Sequence, residues 1–347
     1  MKAGCGAVVL AACGWALFGV AAEARAETPR VNHEGRVLAP LPKFEKPVLF
    51  NTPEADAILA AMQIFPKDNP WNEDISKRPV HPHSEKIVTR IGKEKRLAYN
   101  LDMSFVLVPP NQPKSAVKIV AYADESDPGP FPIPECTPIE GWPLEGGALD
   151  KIQREGEGDR HALVVDPANG MLYEFYQGRK TAGGWQAACE ATFDLKSNQL
   201  RPKGWTSSDA AGLPVFPAVA RYDECERGMV EHALRFTVQR SKREYLYPAT
   251  HFASKLKDDD LPPMGMRFRL KASVDISKFS KHAQAIARAL QKYGMFMADN
   301  GGDWRISVAP DARLKGLEAL KQLKGGDFEV IVSTGEHEGP RAIGTKK

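Results

Sequence analysis

The sequence has almost no net charge and few long apolar segments. Its 347 residues carry 47 Lys and Arg against 44 Asp and Glu, a net charge of +3. That balance gives no electrostatic basis for binding nucleic acid or an anionic membrane surface, so we expect no nucleic-acid partner. The single long apolar run lies near the N terminus, at residues 3–22, which excludes a protein with several membrane spans.

Signatures of several common enzyme classes are also missing. The sequence contains no GxSxG elbow, no GK[ST] phosphate loop, no HExxH motif and no EF-hand pattern. Its cysteines and histidines show no zinc-ligand spacing. Asp258-Asp259-Asp260 could supply oxygens to a Ca²⁺ site, but a solvated run of charge is the simpler interpretation. The sequence therefore predicts neither a metal nor a cofactor.

The N-terminal apolar run has the pattern of a secretory signal peptide over residues 1–26. Lys2 provides the positive start, and Ala24-Arg25-Ala26 provides small residues at the two positions that signal peptidase reads. An alternative is a lipoprotein anchored through Cys13, because Leu10-Ala11-Ala12-Cys13 fits a lipobox. We expect an exported protein, periplasmic or extracellular, with no integral membrane span after processing.

Cysteine is scarce, with five in the sequence, two of them in the expected leader. Cys136, Cys189 and Cys225 would then lie in an oxidising compartment. Three cysteines allow three single pairings, and sequence does not decide among them. Cys189–Cys225 closes the shortest loop and is the pairing that we favour.

Strand patterns dominate the remaining chain. Alternation at residues 267–276 places Phe268, Leu270, Ala272, Val274 and Ile276 on one face, which predicts a sheet with one solvated side. Asn300-Gly301-Gly302 predicts a hairpin between strands at residues 295–298 and 304–308. Helical spacing appears at residues 52–62, 280–293 and 314–323. Other strands are predicted at residues 103–108, 117–123, 161–166, 172–177, 185–195, 231–238 and 328–333.

These elements predict a mainly β fold, an antiparallel β-sandwich or open barrel with a few peripheral α-helices. We expect an extended lead-in at residues 27–50, a single β-rich domain at 51–335 and a flexible polar tail at 336–347.

Residues 121–160 form a Pro- and Gly-rich excursion that contains ten acidic and three basic side chains. Structureless connections of this length are usually functional or disordered. Asp127 follows the strand before the excursion, whereas Asp159 and His161 open the strand after it. If those strands are neighbours, the three side chains meet at one rim. The alternative is an inert solvated loop.

Two further positions are candidates because polar groups interrupt apolar or aromatic surroundings. Asp209 lies in the segment 204–214, where the competing interpretation is a helix N-cap. His251 follows Tyr245 and Tyr247, where the competing interpretation is a packed core histidine. Asp299-Asn300-Gly301 is interpreted mainly as a turn.

Together these residues predict an exported carbohydrate-active enzyme that acts on a glycan or another small polar ligand. A glycosidase needs two carboxylates across a sugar, one protonated and one ionised. The catalytic candidates are Asp127, Asp159, His161, Asp209 and His251. The substrate-binding candidates are Trp142, Arg160, Trp205 and Tyr247; Arg160 would hold a neighbouring carboxylate ionised, or form only an exposed ion pair with Asp159.

Two alternatives remain. A polysaccharide lyase would use Tyr247 and His251 as base and acid, with Arg235 or Arg267 neutralising a sugar carboxylate. A glycan-binding or cell-envelope structural protein would use the same fold with no catalysis.

Four segments are similar to a family of secreted bacterial proteins with no established activity. They are Asn69-Pro70-Trp71-Asn72, Tyr122-Ala123-Asp124-Glu125-Ser126-Asp127-Pro128-Gly129, Gly158-Asp159-Arg160-His161 and the residues 204–214. They span about residues 50–310 and are consistent with one domain. The resemblance implies no catalytic residue.

Overall fold

The computed structural model describes residues 1–4 and 29–338. Most of the expected signal peptide, the Cys13 motif and most of the polar tail therefore lie outside the described residues. The described α-helices are α1 (Pro53–Ala60), α2 (Ser84–Ile91), α3 (Leu149–Arg154), α4 (Tyr222–Arg227) and α5 (Lys281–Lys292). The described strands are β1 (Val48–Leu49), β2 (Ala98–Leu101), β3 (Phe105–Leu107), β4 (Val117–Ile119), β5 (Ala162–Asp166), β6 (Met171–Tyr176), β7 (Arg179–Thr181), β8 (Gly184–Ala187), β9 (Cys189–Asp194), β10 (Leu234–Val238), β11 (Arg267–Leu270), β12 (Met295–Asn300), β13 (Arg305–Val308) and β14 (Phe328–Val330).

The strands form three sheets, and the prediction of a mainly β fold with few helices is confirmed. The five-stranded sheet has the order β1-β3-β5-β6-β9, the six-stranded sheet β14-β11-β12-β10-β13-β2, and the small sheet β4-β8-β7. Seven of the eleven strand pairings in the described part of the chain are antiparallel. The other four are parallel, because long connections separate their strands.

The five-stranded sheet is buried on both faces. Phe105 and Leu107 of β3 belong to the core that also contains Phe236 and Phe268 of the six-stranded sheet. Val106, which lies between these two residues in β3, belongs to a second hydrophobic cluster, and residues of the small sheet contribute to that cluster. Successive side chains of a strand point to opposite faces, so the five-stranded sheet lies between two apolar layers. The larger core joins the two main sheets, and its polar end forms the site described below.

The predicted hairpin around residues 300–302 is wrong. In the six-stranded sheet β10 lies between β12 and β13, parallel to the first and antiparallel to the second. A strand from residues 234–238 thus enters between two strands that are neighbours in sequence. This insertion places Arg235 of β10 between the side chains of β12 and those of β13.

The prediction of one solvated face along residues 267–276 is also wrong. The strand ends at Leu270, and all four residues of β11 are buried. Arg267 Nε donates to the Tyr293 carbonyl, and Arg269 Nη1 donates to the Ile75 carbonyl. Buried guanidinium groups bound to backbone carbonyls replace the expected exposed charges, a pattern that alternation alone does not distinguish.

Helix prediction succeeds for two segments and in part for a third. Residues 53–60 and 281–292 are helical, and the segment 314–323 contains a 3₁₀ helix at Leu317–Gln322. The short helices α2, α3 and α4 are not anticipated. Within the described residues, none of the helices has the length and apolarity needed to cross a lipid bilayer.

The favoured Cys189–Cys225 pairing is wrong, because Cys136, Cys189 and Cys225 all have free thiols. Cys189 starts β9 in the five-stranded sheet, where its thiol contacts the Ser126 hydroxyl at 3.6 Å. Cys225 lies in α4, which packs against α1 and α5. The two thiols belong to different layers of the fold.

We therefore expect three reactive thiols per chain when a protein of residues 27–347 is denatured without reductant and titrated with a disulfide reagent. In the native state Cys189 and Cys225 should react slowly because both are fully buried. A single reactive thiol in denaturant would contradict this arrangement.

Candidate functional site

A cleft of about 280 Å³ opens where β6, β12 and the segment 206–210 meet. Asp159 and Asp299 are its carboxylates, and His251 is its imidazole. The complete lining is Tyr122, Asp159, Tyr176, Thr206, Ser207, Ser208, Ala210, His251, Ala253, Asp299 and Asn300. A larger cavity of about 530 Å³ near the lead-in is lined by apolar side chains, backbone, Gln63, Arg30 and Lys196. It lacks a carboxylate or imidazole, whereas the smaller cleft has both and lies over a buried cluster of charged side chains, which makes it the candidate site.

A buried ion pair forms the base of this cleft. Arg235 binds Asp209 through two hydrogen bonds, Nε to Oδ2 at 2.8 Å and Nη2 to Oδ1 at 2.6 Å. Its third nitrogen, Nη1, donates to the Ser307 hydroxyl at 2.6 Å. Asp209 has no exposed surface. Bidentate pairing of this kind gives a carboxylate and a guanidinium two charge-assisted hydrogen bonds in a fixed geometry.

The segment that carries Asp209 is shaped by its own side chains. The Ser207 hydroxyl accepts from the Asp209 N–H and donates to the Leu213 carbonyl. Gly212 has φ +71°, and a Cβ there would lie 2.0 Å from the Thr250 hydroxyl. The Ala211 N–H donates to the Ala298 carbonyl, which fixes this segment beside the end of β12. Asp209 is therefore a partner of Arg235, not the helix N-cap that was the competing interpretation.

Burial and the neighbouring Asp209 together raise the pKa of Asp299. Asp299 Oδ2 lies 4.0 Å from Arg235 Nη2, and 23% of its side chain is exposed. Removal of the carboxyl group from water, together with the Asp209 charge, raises the pKa of Asp299 to about 8. Arg235 only partly offsets this rise. Asp299 is therefore a carboxylic acid, not a carboxylate, at neutral pH.

A second buried pair lies behind the segment. His161 Nδ1 is 2.9 Å from Glu140 Oε2, and Nε2 is 2.8 Å from the Ser208 carbonyl oxygen. Both partners only accept, so both ring nitrogens carry protons and the ring is an imidazolium. Burial alone would lower the pKa of His161, but Glu140 raises it to about 10. His161 correspondingly lowers the pKa of Glu140 to about 2 against its own burial.

Two more acids complete the buried cluster. Glu174 accepts from the Ser208 hydroxyl and from the N–H groups of Val215 and Phe216. Burial nevertheless raises its pKa to about 7. Burial and the nearby Glu140 likewise raise the pKa of Asp102 to about 7. Asp102 and Glu174 therefore lie close to their titration points at neutral pH, and Asp299 lies on the protonated side.

The remaining ionisable groups line the open part of the cleft. The Tyr176 hydroxyl donates to Asp159 Oδ1 at 3.4 Å. Desolvation and the charges of Asp159 and Asp299 raise the pKa of Tyr176 to about 12, so both carboxyl groups are within electrostatic reach of this phenol. His251 Nδ1 lies 2.7 Å from the Ala210 carbonyl. Nδ1 therefore donates, which makes Nε2 an acceptor in the neutral ring.

The structure brings four of the five catalytic candidates to one place. Asp159 and His251 line the cleft, and Asp209 and His161 lie behind the segment 206–210 that lines it. Asp127 is held elsewhere, since its Oδ2 accepts from the Thr192 N–H at 2.9 Å and from Arg201 Nη1 at 2.5 Å. The expected meeting of Asp127 with Asp159 and His161 does not occur, because Arg201 and β9 bind Asp127.

The four substrate-binding candidates do not line the cleft. Arg160 is buried and donates to carbonyls of Gly178, Ile152 and Gln153, so it fixes the end of the excursion and forms no ion pair with Asp159. Trp142 packs against the main core. The Trp205 ring faces the Arg201 guanidinium at 5.5 Å. Tyr247 is half-buried beside a cis proline.

Sequence reasoning missed three ionisable side chains of the cleft lining, Tyr122, Tyr176 and Asp299, and the acids Asp102, Glu140 and Glu174 of the cluster behind it. The turn pattern at residues 299–301 gives Asp299 a local explanation, and Tyr122 and Tyr176 lie within the predicted strands 117–123 and 172–177. A signal for Asp299 did exist, because β12 is apolar for four residues and then ends in Asp299 and Asn300. Polar residues at strand ends are common in active sites.

Comparison of this chain with protein-family models, with curated proteins and with solved structures found no match. The geometry and chemistry of the site are therefore the basis of the function proposed below.

The His161–Glu140 pair predicts a specific pH dependence of stability. The contribution of His161 is complete below its unfolded pKa near 6.5 and is lost as pH rises through about 10. That of Glu140 is complete above 4.5 and is lost as pH falls through about 2. Glu140→Gln should therefore lower the free energy of unfolding by about 3 kcal/mol between pH 4.5 and 6.5.

Urea unfolding across pH measures this difference, which should shrink outside that window. Glu157→Gln, an exposed carboxylate nearby, is the matched control and should change little. A difference between wild type and Glu140→Gln that stays constant from pH 4 to pH 10 would contradict the ion pair.

Proposed function

We propose that this chain is an exported glycoside hydrolase in which Asp299 is the general acid and Asp159 is the second carboxylate. The observation that carries the proposal is the pairing in one cleft of a carboxylic acid, whose pKa is about 8, with a second carboxyl group. Glycosidases use one carboxyl group in each state. Export is proposed from the leader pattern of residues 1–26.

In the proposed reaction the Asp299 proton moves to the glycosidic oxygen as the bond from that oxygen to the anomeric carbon breaks. Asp159 acts at the anomeric centre as base or nucleophile, and water supplies the hydroxyl group of the product. The charge that develops on Asp299 faces Arg235 at 4.0 Å. Arg235 therefore stabilises the transition state without leaving its pairing with Asp209.

Two observations favour hydrolysis over β-elimination on uronates. The cleft lining contains no Lys or Arg among the described residues, whereas a lyase needs a group that neutralises the sugar carboxylate. The two arginines proposed for a lyase are also engaged within the protein. Arg235 is bound to Asp209 and Ser307, and Arg267 is bound to Glu73 and Tyr293.

Leaving-group dependence separates the roles of the two acids. Asp299→Asn should lose at least 100-fold in kcat on a natural glycan, in line with typical general acid effects. It should lose far less on an aryl glycoside, whose phenolate leaves without a proton. Asp159→Asn should lose activity on both substrates. Reducing-end release and aryl-group absorbance measure the two reactions.

Glu157→Gln is the control, since this exposed carboxylate lies two residues from Asp159 but outside the cleft lining. Equal losses on both substrates for Asp299→Asn would refute its role as acid. Wild-type inactivity on a broad glycan panel, with binding retained, would support the non-catalytic alternative.

The raised pKa of Asp299 also determines where kcat/KM declines on the alkaline side of its pH profile. The acid form of Asp299 exists below its pKa, so kcat/KM should fall tenfold per pH unit above about 8. For Asp299→Asn acting on the aryl glycoside that decline should disappear. A decline with the same pKa in the variant would assign the titration to another group.

A further inference from the structure

We propose that the cleft accepts uncharged glycans and excludes glycans that carry a carboxylate on the sugar bound beside Asp159. This inference rests on the proposed hydrolase function and names its substrate class. The alternative class is the anionic polysaccharides, such as uronans.

The first argument is the charge of the cleft. Its lining includes Asp159 and Asp299 and has no Lys or Arg within the described residues. The nearest cation beneath it, Arg235, is neutralised by two hydrogen bonds to Asp209. The imidazolium of His161 is likewise paired with Glu140. A ligand carboxylate would therefore meet the negative charge of Asp159 with no Lys or Arg in the described lining to offset it.

The second argument is the hydrogen-bonding character of the lining. The Ser207 and Ser208 hydroxyls donate to Leu213 and Glu174, and the Asn300 amide donates to the Ala253 carbonyl. These donors are thus used within the protein. The acceptors of the lining include the Asp159 carboxylate and, in the neutral ring, Nε2 of His251, whereas the acid proton of Asp299 goes to the glycosidic oxygen in the proposed reaction. Sugar hydroxyl groups are donors that match such acceptors, whereas a carboxylate only accepts.

The third argument is the aromatic edge. Tyr122 is 45% exposed and lines the cleft together with Tyr176. Exposed phenol rings offer an apolar face and a polar edge, which suits a hydroxylated ring more than a charged one. Tyr122 is also a position where a substitution can change the charge of the cleft without disturbing the core.

The test compares one glycan with its own oxidised form. The glycan that wild type cleaves best is oxidised at its primary alcohols, which introduces carboxylates while the backbone is kept. Wild type should show at least a tenfold lower kcat/KM on the oxidised form. Tyr122→Lys places a cation at the cleft edge. At low ionic strength this variant should have a kcat/KM on the oxidised form at least threefold higher than that of wild type. Salt should reduce this gain, because it screens exposed charges.

Val120→Lys is the matched control: Val120 is 53% exposed and lies outside the cleft lining, so this variant should show no such gain. Binding of fragments of both forms to Asp159→Asn, measured by calorimetry, gives an arm that does not need turnover. For this variant, the ratio of the Kd of the oxidised fragment to the Kd of the uncharged fragment should be at least threefold smaller than for wild type.

The outcomes separate the two proposals. Equal or faster cleavage of the oxidised glycan would overturn the substrate class but leave the hydrolase intact. Absence of cleavage, with binding that still prefers uncharged fragments and depends on Asp159, would refute the hydrolase and support the selectivity. Absence of binding to any uncharged glycan would overturn the selectivity.

Discussion

The buried pair of Asp209 and Arg235 is the interaction on which the site depends. Asp209 has no exposed surface, and Arg235 is almost fully buried. Burial of two opposite charges costs desolvation free energy. The bidentate geometry and the hydrogen bond from the remaining Arg235 nitrogen to Ser307 offset this cost. The pair fixes an ionised carboxylate beside Asp299, and this neighbour helps to keep the Asp299 proton in place. Removal of either partner would leave an uncompensated charge inside the protein.

Chain topology is what makes this pair possible. Arg235 is on β10, which lies between β12 and β13, so its guanidinium reaches both Asp299 and Ser307. Asp209 lies in a loop that is held at β12 by a hydrogen bond from the Ala211 N–H to the Ala298 carbonyl. Glu174 belongs to β6 of the five-stranded sheet, where it pairs with Leu163 of β5, and His161 immediately precedes β5. The cluster therefore ties the polar ends of both main sheets together.

Local patterns predicted the class of fold and part of the site, and their failures have physical causes. The strands near residues 161–177 and the helix at 281–292 follow from periodicity and turn residues. The insertion of β10 does not, because a tight Asn-Gly-Gly segment indicates a turn but not which strand lies beside it. The burial of Arg267 and Arg269 is equally hidden, since alternation reports polarity and not hydrogen bonding. Asp209 and His251 are found because polar groups interrupt apolar or aromatic surroundings, and Asp159 because it opens the strand after the acidic excursion. Asp299 was missed because its turn residues offered a sufficient local explanation, whereas its chemistry depends on Asp209, ninety positions earlier.

Charge balance explains why one acid in this cluster is available for chemistry. Asp102, Glu140, Glu174, Asp209 and Asp299 share the site with two cations, Arg235 and the His161 imidazolium. Pairing assigns ionised states to Asp209 and Glu140, so burial leaves the other three acids with raised pKa values. A core of this composition is more costly than an apolar one, and perturbed acids of this kind cluster at functional sites. Glu174 is enclosed by Ser208, Val215 and Phe216, and Asp102 is buried. Asp299 alone among the three lines the cleft within the described residues, so its proton is the one that a ligand can reach.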